Sequence, residues 1–145
     1  MYAQNTSVPV SKSKNDIDKT LLKYGAEVRA VLEQPGRAVV VFERDARRVQ
    51  IVLTLPHAAE FKMKRSGEPD VKAHEQACRS RWRALLLVLH AKLEAVESGI
   101  TTFEDEFLAH IVMPGGGTVG DLVRPRIEAS YKAGKMLALL PGGVG

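Results

Sequence analysis

The sequence predicts an α+β fold: a three-stranded antiparallel sheet packed on an N-terminal helix and a long central helix (α-β-β-β-α), with a helical C-terminal layer. Three observations carry this. Val71 to Ser98 runs without Pro or Gly between Asp70, a good N-cap, and Gly99, a good stop. Three short, β-rich runs between residues 27 and 55 are separated by turn residues. After Gly99 come two segments that open with Thr and an acidic residue three positions on, which is helix-start chemistry.

In chain order, residues 1–12 are polar and read as a flexible terminus. Ser13 can cap a helix over 14–24, with Asp16 three residues on and Gly25 at its end; Ile17, Leu21 and Tyr24 share a face. Glu27 to Glu33 alternates, with Val28, Ala30 and Leu32 on one side. Gln34-Pro35-Gly36 is a turn, since Pro presets φ and Gly takes positive φ. Arg37 to Glu43 is apolar on both faces, as a middle strand is. Arg44-Asp45-Ala46-Arg47 turns the chain again, and Arg48 to Leu55 points Val49, Ile51, Leu53 and Leu55 one way. Residues 56–70, with a basic middle, read as a mobile surface loop.

The central helix over 71–98 would be about 42 Å long. Val71, Cys78, Trp82, Leu85, Leu89, Leu93 and Val96 form its apolar stripe. Leu85 to Leu89 is apolar on every side, which predicts cover all round, and Ile100 is placed to pack back on the last turn. Thr101 with Glu104 predicts a helix that buries Phe103, Phe107 and Ile111 and packs on the central helix as an α-hairpin. Thr118 with Asp121 starts another helical segment. Pro125 should break it, Ile127 and Tyr131 should face inward, and Met136 to Leu140 should dock on the core. The whole chain, 1–145, reads as a single domain.

The chain is mildly basic, with a net charge of +4, and residues 1–65 hold 12 Lys or Arg against 7 Asp or Glu. One cysteine excludes an intramolecular disulfide and suits a reducing, cytoplasmic setting. The N-terminal residues lack an apolar signal segment, and Leu85 to Leu89 is too short to span a bilayer, so no membrane partner is expected. Candidate phosphate contacts are Arg44, Arg47 and Arg48 on the second turn, Lys62, Lys64 and Arg65 in the loop, and Arg79 and Arg83 beside Trp82 on the central helix. An ordinary charged turn or solvated helix face has the same composition.

No catalytic constellation is legible. Gly115, Gly117 and Gly120 match G-x-G-x-x-G, but no strand precedes them. His74-Glu75-x-x-Cys78 is half of a zinc motif, and Cys78 lies on the apolar stripe. His57, His74, His90 and His110 are scattered. The expectation is therefore no metal, no cofactor and no enzymatic activity.

The segments 12–26 (KSKNDIDKTLLKYGA), 48–56 (RVQIVLTLP), 81–114 (RWRALLLVLHAKLEAVESGITTFEDEFLAHIVMP), 118–136 (TVGDLVRPRIEASYKAGKM) and 139–142 (LLPG) together resemble a family of small, uncharacterised proteins encoded by bacteriophages and prophages. The resemblance covers most of the chain and brings no catalytic residues. It implies a mobile-element origin and a cytoplasmic role in a bacterial host cell. The element order also resembles the double-stranded RNA-binding domain in layout alone. Two functions follow as expectations. The first is a non-enzymatic accessory protein that binds nucleic acid through the eight basic residues, serving replication, recombination or regulation. The second is a modulator that binds and inhibits a host protein, such as a defence or transcription component, through the outer face of the sheet or the same arginines. Basic side chains converging on one face would favour the first; scattered charges beside an exposed apolar patch would favour the second. The sequence also leaves homo-oligomerisation open.

Overall fold

A computed structural model describes residues 3–62 and 67–140. The expected order is present. Helix α1 (Val10–Lys23) is followed by strands β1 (Val28–Gln34), β2 (Arg37–Arg44) and β3 (Arg47–Thr54), then the long helix α2 (Val71–Glu97). A one-turn helix α3 (Phe103–Glu106) and helix α4 (Val119–Ala133) complete the C-terminal layer. The sheet is antiparallel in the order β1-β2-β3. Among the described residues no helix is long and apolar enough to cross a membrane.

The core lies on one face of the sheet. Ala38, Val40 and Phe42 of β2 and Val49, Ile51 and Leu53 of β3 are buried there. They face Ile17 and Leu21 of α1 and Trp82, Leu85, Leu86, Leu89 and Leu93 of α2, all members of one cluster. Phe42 anchors the far end, with its ring centroid 5.6 Å from Phe107 and 6.3 Å from Phe103. The Tyr24 hydroxyl donates to the Glu94 carboxylate at 2.6 Å and ties α1 to α2.

Register decides which side of β1 looks inward. Arg29 is opposite Phe42, Val31 opposite Val40, and Glu33 opposite Ala38. Val28, Ala30 and Leu32 do share a face, but it is the outer one. Arg29 and Glu33 point toward α1 instead, where Asp18 accepts from Arg29 Nε at 2.7 Å and Lys14 pairs with Glu33.

Several expectations are corrected. Helix α1 starts at Val10, because Pro9 is extended and its carbonyl accepts from Lys12 and Ser13 N–H; Ser13 is buried inside the helix rather than capping it. Residues 3–9 lie against α2: Ala3 is buried, and the carbonyls of Gln4 and Thr6 accept from Ser80 and Gln76. Of the 56–70 segment, expected to be a mobile loop, residues 63–66 lie outside the described residues; beside them Asp70 N–H donates to the Phe61 carbonyl, and the Phe61 ring lies 5.6 Å from His74. Asp70 caps α2 through Ala73 N–H as expected, but Val88 is 46% exposed and the helix is not covered all round. Ile100 N–H closes the helix end on the Ala95 carbonyl, yet its side chain stays in solvent.

The predicted α-hairpin is absent. Thr102, not Thr101, caps a single turn, and the chain then straightens. Val112 N–H donates to the Arg48 carbonyl, and Ile111 bridges Val49, so this segment lines the β3 edge. Phe103, Phe107 and Ile111 are buried as expected, reached by a different backbone.

Helix α4 has the expected Thr118–Asp121 capping box and ends at Gly134 in left-handed backbone. Pro125 does not break it. None of its residues is buried, and Asp121 and Pro125 are exposed, so water can satisfy the Asp121 carbonyl that Pro125 leaves free. Ile127, Tyr131 and Met136 are exposed rather than docked, because α4 meets the body only near its first turns. Gly120 makes that approach close: a Cβ there would stand 2.9 Å from the Ala109 carbonyl oxygen.

The β2–β3 turn holds two non-glycine residues in left-handed backbone, Asp45 at φ 53° and Ala46 at φ 59°. That is the hairpin turn for which Asn-Gly or Asp-Gly is the favoured pair. Ala46→Gly should therefore raise the unfolding free energy by about 1 kcal/mol in urea titration. Gly120→Ala should lower it by about 1–2 kcal/mol, because a backbone carbonyl must move.

Candidate functional site

Two surfaces compete for a functional role. The first is the set of basic residues read from the sequence. At the β2–β3 turn, Arg44 is largely covered. Its guanidinium lies 5.1 Å over the Phe103 ring and 3.4 Å from Asp45, and its Nη1 is buried without a partner. Arg47 Nε donates to Glu104 at 3.0 Å. Arg48 sits opposite Glu43 in the ladder, and its Nε and Nη2 donate to one carboxylate oxygen at 2.9 and 2.7 Å. Each of these three arginines thus faces a carboxylate of its own chain.

The remaining basic residues lie elsewhere. Arg79 donates to the Gln76 side chain at 3.2 and 2.6 Å. Arg83 faces α1 and donates to Asp16 at 3.4 Å, while Lys12 bonds the same carboxylate. The Lys12 bond, then Arg83, holds the Asp16 carboxyl below its ordinary value of 3.8. Lys62 is exposed beside the start of α2; Lys64 and Arg65 lie outside the described residues. Arg44, Arg47 and Arg48 are at the α3 end of the sheet. Arg81, on the Arg79–Arg83 segment, donates to the Thr54 carbonyl at the opposite end, a strand length of about 24 Å away. The structure brings together the three turn arginines and separates them from the rest.

A cleft of about 880 Å³ lies between the β2–β3 turn and the segment 108–114. Its titratable lining consists of Glu43, Arg47, Arg48 and Glu104, which form two ion pairs, over apolar Leu108, Ile111 and Met113. It presents no nucleophile beside a base. His74 Nε2 lies 3.6 Å from Cys78 Sγ and 2.9 Å from the Pro56 carbonyl, and burial pushes the Cys78 thiol up, away from reactivity. Among the described residues no group of three His, Cys, Asp or Glu side chains could hold a metal ion. Gly115 and Gly117 serve a tight turn at positive φ closed by Met113 N–H on the Gly117 carbonyl, and Gly120 serves helix packing, so the G-x-G-x-x-G match has a structural cause.

The second surface is the outer face of the sheet. Val28, Ala30 and Leu32 of β1, Val39 and Val41 of β2, and Val52 of β3 share it with Gln50. Among the described residues no helix packs there. Leu32 is 61% exposed, Val28 47% and Val52 46%. The patch ends in polar residues: the Glu43–Arg48 pair at one end, Gln34, Arg37 and Thr54 at the other. Its residues are not in the set of basic candidates. The available signal was that Arg37 to Glu43 is apolar on both faces.

His110 is lodged among cations. Burial first, then Lys92 and Arg124, pushes its pKa below the ordinary 6.5, against a weaker opposing bond to the Gln50 backbone. A lowered folded value means that the unfolded chain binds the proton first. The stabilising contribution is full above 6.5 and is lost as pH falls from 6.5 through the folded value. Urea midpoints measured between about pH 5 and 8 should therefore fall toward acid for the natural chain, and less so for His110→Gln. Comparison of the chain with protein-family models, with curated proteins and with solved structures finds no match.

Proposed function

We propose that the chain is a non-enzymatic protein-binding module whose contact surface is the open face of the sheet. The observation that carries this reading is the contiguous apolar patch of Val28, Ala30, Leu32, Val39, Val41 and Val52 with polar ends, the anatomy of a recognition surface. The distribution of charge supports it. The turn arginines are matched by Asp45, Glu43 and Glu104, whose negative charge offsets the positive potential a phosphate would meet there. The resemblance to phage-encoded proteins supplies the class of partner: a protein of the bacterial host cell, modulated by occupancy of one of its apolar surfaces.

The test uses the full chain and the variant Leu32→Glu/Val52→Glu, whose changes fall on exposed positions. The natural chain should retain one host protein in stoichiometric amount, and the variant should lose it at unchanged thermal stability. Labelled single- and double-stranded DNA and RNA should show no anisotropy change up to about 10 μM chain at low salt. Oligonucleotide binding with a steep salt slope, weakened by Arg44, Arg47 and Arg48 to Ala, would overturn the reading in favour of a nucleic-acid binder.

A further inference from the structure

Strand β1 exposes an apolar side chain on each of its sides. Leu32 looks outward and is 61% exposed; Val31 looks toward the helical layer and is still 39% exposed. The opposite edge of the sheet, at β3, is lined by Ile111 and Val112, whereas among the described residues β1 has β2 as its sole strand neighbour.

The hydrogen-bonding phase of that edge follows from the ladder. Gln34 and Arg37 flank a two-residue turn, and Glu27 N–H donates to the Glu43 carbonyl beside the Val28–Glu43 pair, a bulge at the other end. Val28, Ala30, Leu32 and Gln34 therefore direct their backbone groups to β2. Arg29, Val31 and Glu33 direct theirs to the open side.

We infer that β1 pairs antiparallel with β1 of a second copy of this chain, about a two-fold axis at Val31, to make a six-stranded sheet. In this register the outward-directed residues meet one another: Val31 faces its own copy, and Arg29 faces Glu33 of the other chain, twice. Leu32 falls opposite Ala30. The charges on the helix side then alternate in sign across the junction: Lys14, Glu33, Arg29 of the second copy, and Asp18 of the second copy. Arg29 bonds Asp18 through Nε and the Ala26 and Glu27 carbonyls through Nη1, so Nη2 is the donor that would serve the second chain. Shifting the register by two residues puts Glu27 opposite Glu33 in one direction and Arg29 opposite Pro35 in the other. Leu22, one turn beyond Asp18 on α1, is 57% exposed on the same flank. Inward-pointing charges on an edge strand ordinarily guard against pairing. Here the spacing Arg-x-Val-x-Glu is complementary to itself. Edge pairing leaves both outer faces free and joins them, so the inference does not rest on what the open face binds.

The test is the mass of the full chain in solution at about 100 μM and low salt, by sedimentation equilibrium. The expected mass is twice 15.9 kDa. Arg29→Glu and Glu33→Arg should each weaken self-association by roughly tenfold or more, since each turns two attractive cross-strand pairs into repulsive ones. An equimolar mixture of the two variants should recover the dimer, because each then supplies the charge the other lacks. Val52→Glu, on the open face and away from the edge, should leave the dimer intact. A monomer at all concentrations overturns the inference. So does a dimer unaffected by either charge reversal, or one that Val52→Glu alone disperses. Loss in both variants without recovery in the mixture overturns the register. Thermal unfolding of each variant separates loss of pairing from loss of fold.

Discussion

A sheet has two faces, and the helices among the described residues pack on one of them. Almost every feature of the molecule depends on that constraint. Helices α1 and α2 cover the side that carries Phe42, Val49 and Ile51, and their apolar stripes close over it around Trp82, Leu89 and Ile17. Burial of such side chains stabilises by roughly 1.5–3 kcal/mol each, so the covered face holds the fold. Among the described residues no helix covers the other face. Helix α4, the remaining helix of any length, is anchored beside residues 108–110 instead. The open face and the exposed β1 edge are thus consequences of one shortage.

The basic surplus has a structural use. Arg44 stacks on Phe103 next to the aromatic trio at the end of the core, Arg48 locks onto Glu43 across the ladder, and Arg83 shares Asp16 with Lys12 where α1 meets α2. Lys14 lies 5.1 Å over the buried Trp82 ring while it pairs with Glu33. Exposed pairs of this kind each contribute little. Together they fix where the arginines point, and they point at this chain's own acids and rings. A net charge of +4 spread in this way does not make a continuous phosphate-binding stripe.

The C-terminal layer shows how a chain can bury the expected side chains with unexpected backbone. Phe103 and Phe107, four residues apart, do reach Phe42. One turn of helix followed by a 3-10 turn and a short extended segment places Ile111 in the core and also gives the Arg48 carbonyl a partner in Val112. A continued helix would have left that β3 edge group facing water. The path of the chain here answers the needs of the sheet edge, not the local preference for helix.

Much of the fold was legible because it rests on local rules. The Asp70 cap and Gly99 stop bound α2, Pro35-Gly36 and the four residues 44–47 set the hairpins, and the alternation in β3 chose its buried face. These depend on backbone geometry and side-chain period, which a sequence carries. Three things depend on distance across the structure and were decided only there. Asp18 and Lys14 on α1 turn Arg29 and Glu33 inward and so turn Val28, Ala30 and Leu32 out. The β3 edge draws residues 111–112 out of the helix their pattern suggests. Each turn arginine meets an acid, two of them, Glu43 and Glu104, outside the turn itself, and this changes a basic cluster into paired charge. The sequence by itself determined the elements and the apolar stripe of α2. Tertiary structure decided which apolar residues remain in water, because that depends on how many layers there are to cover them.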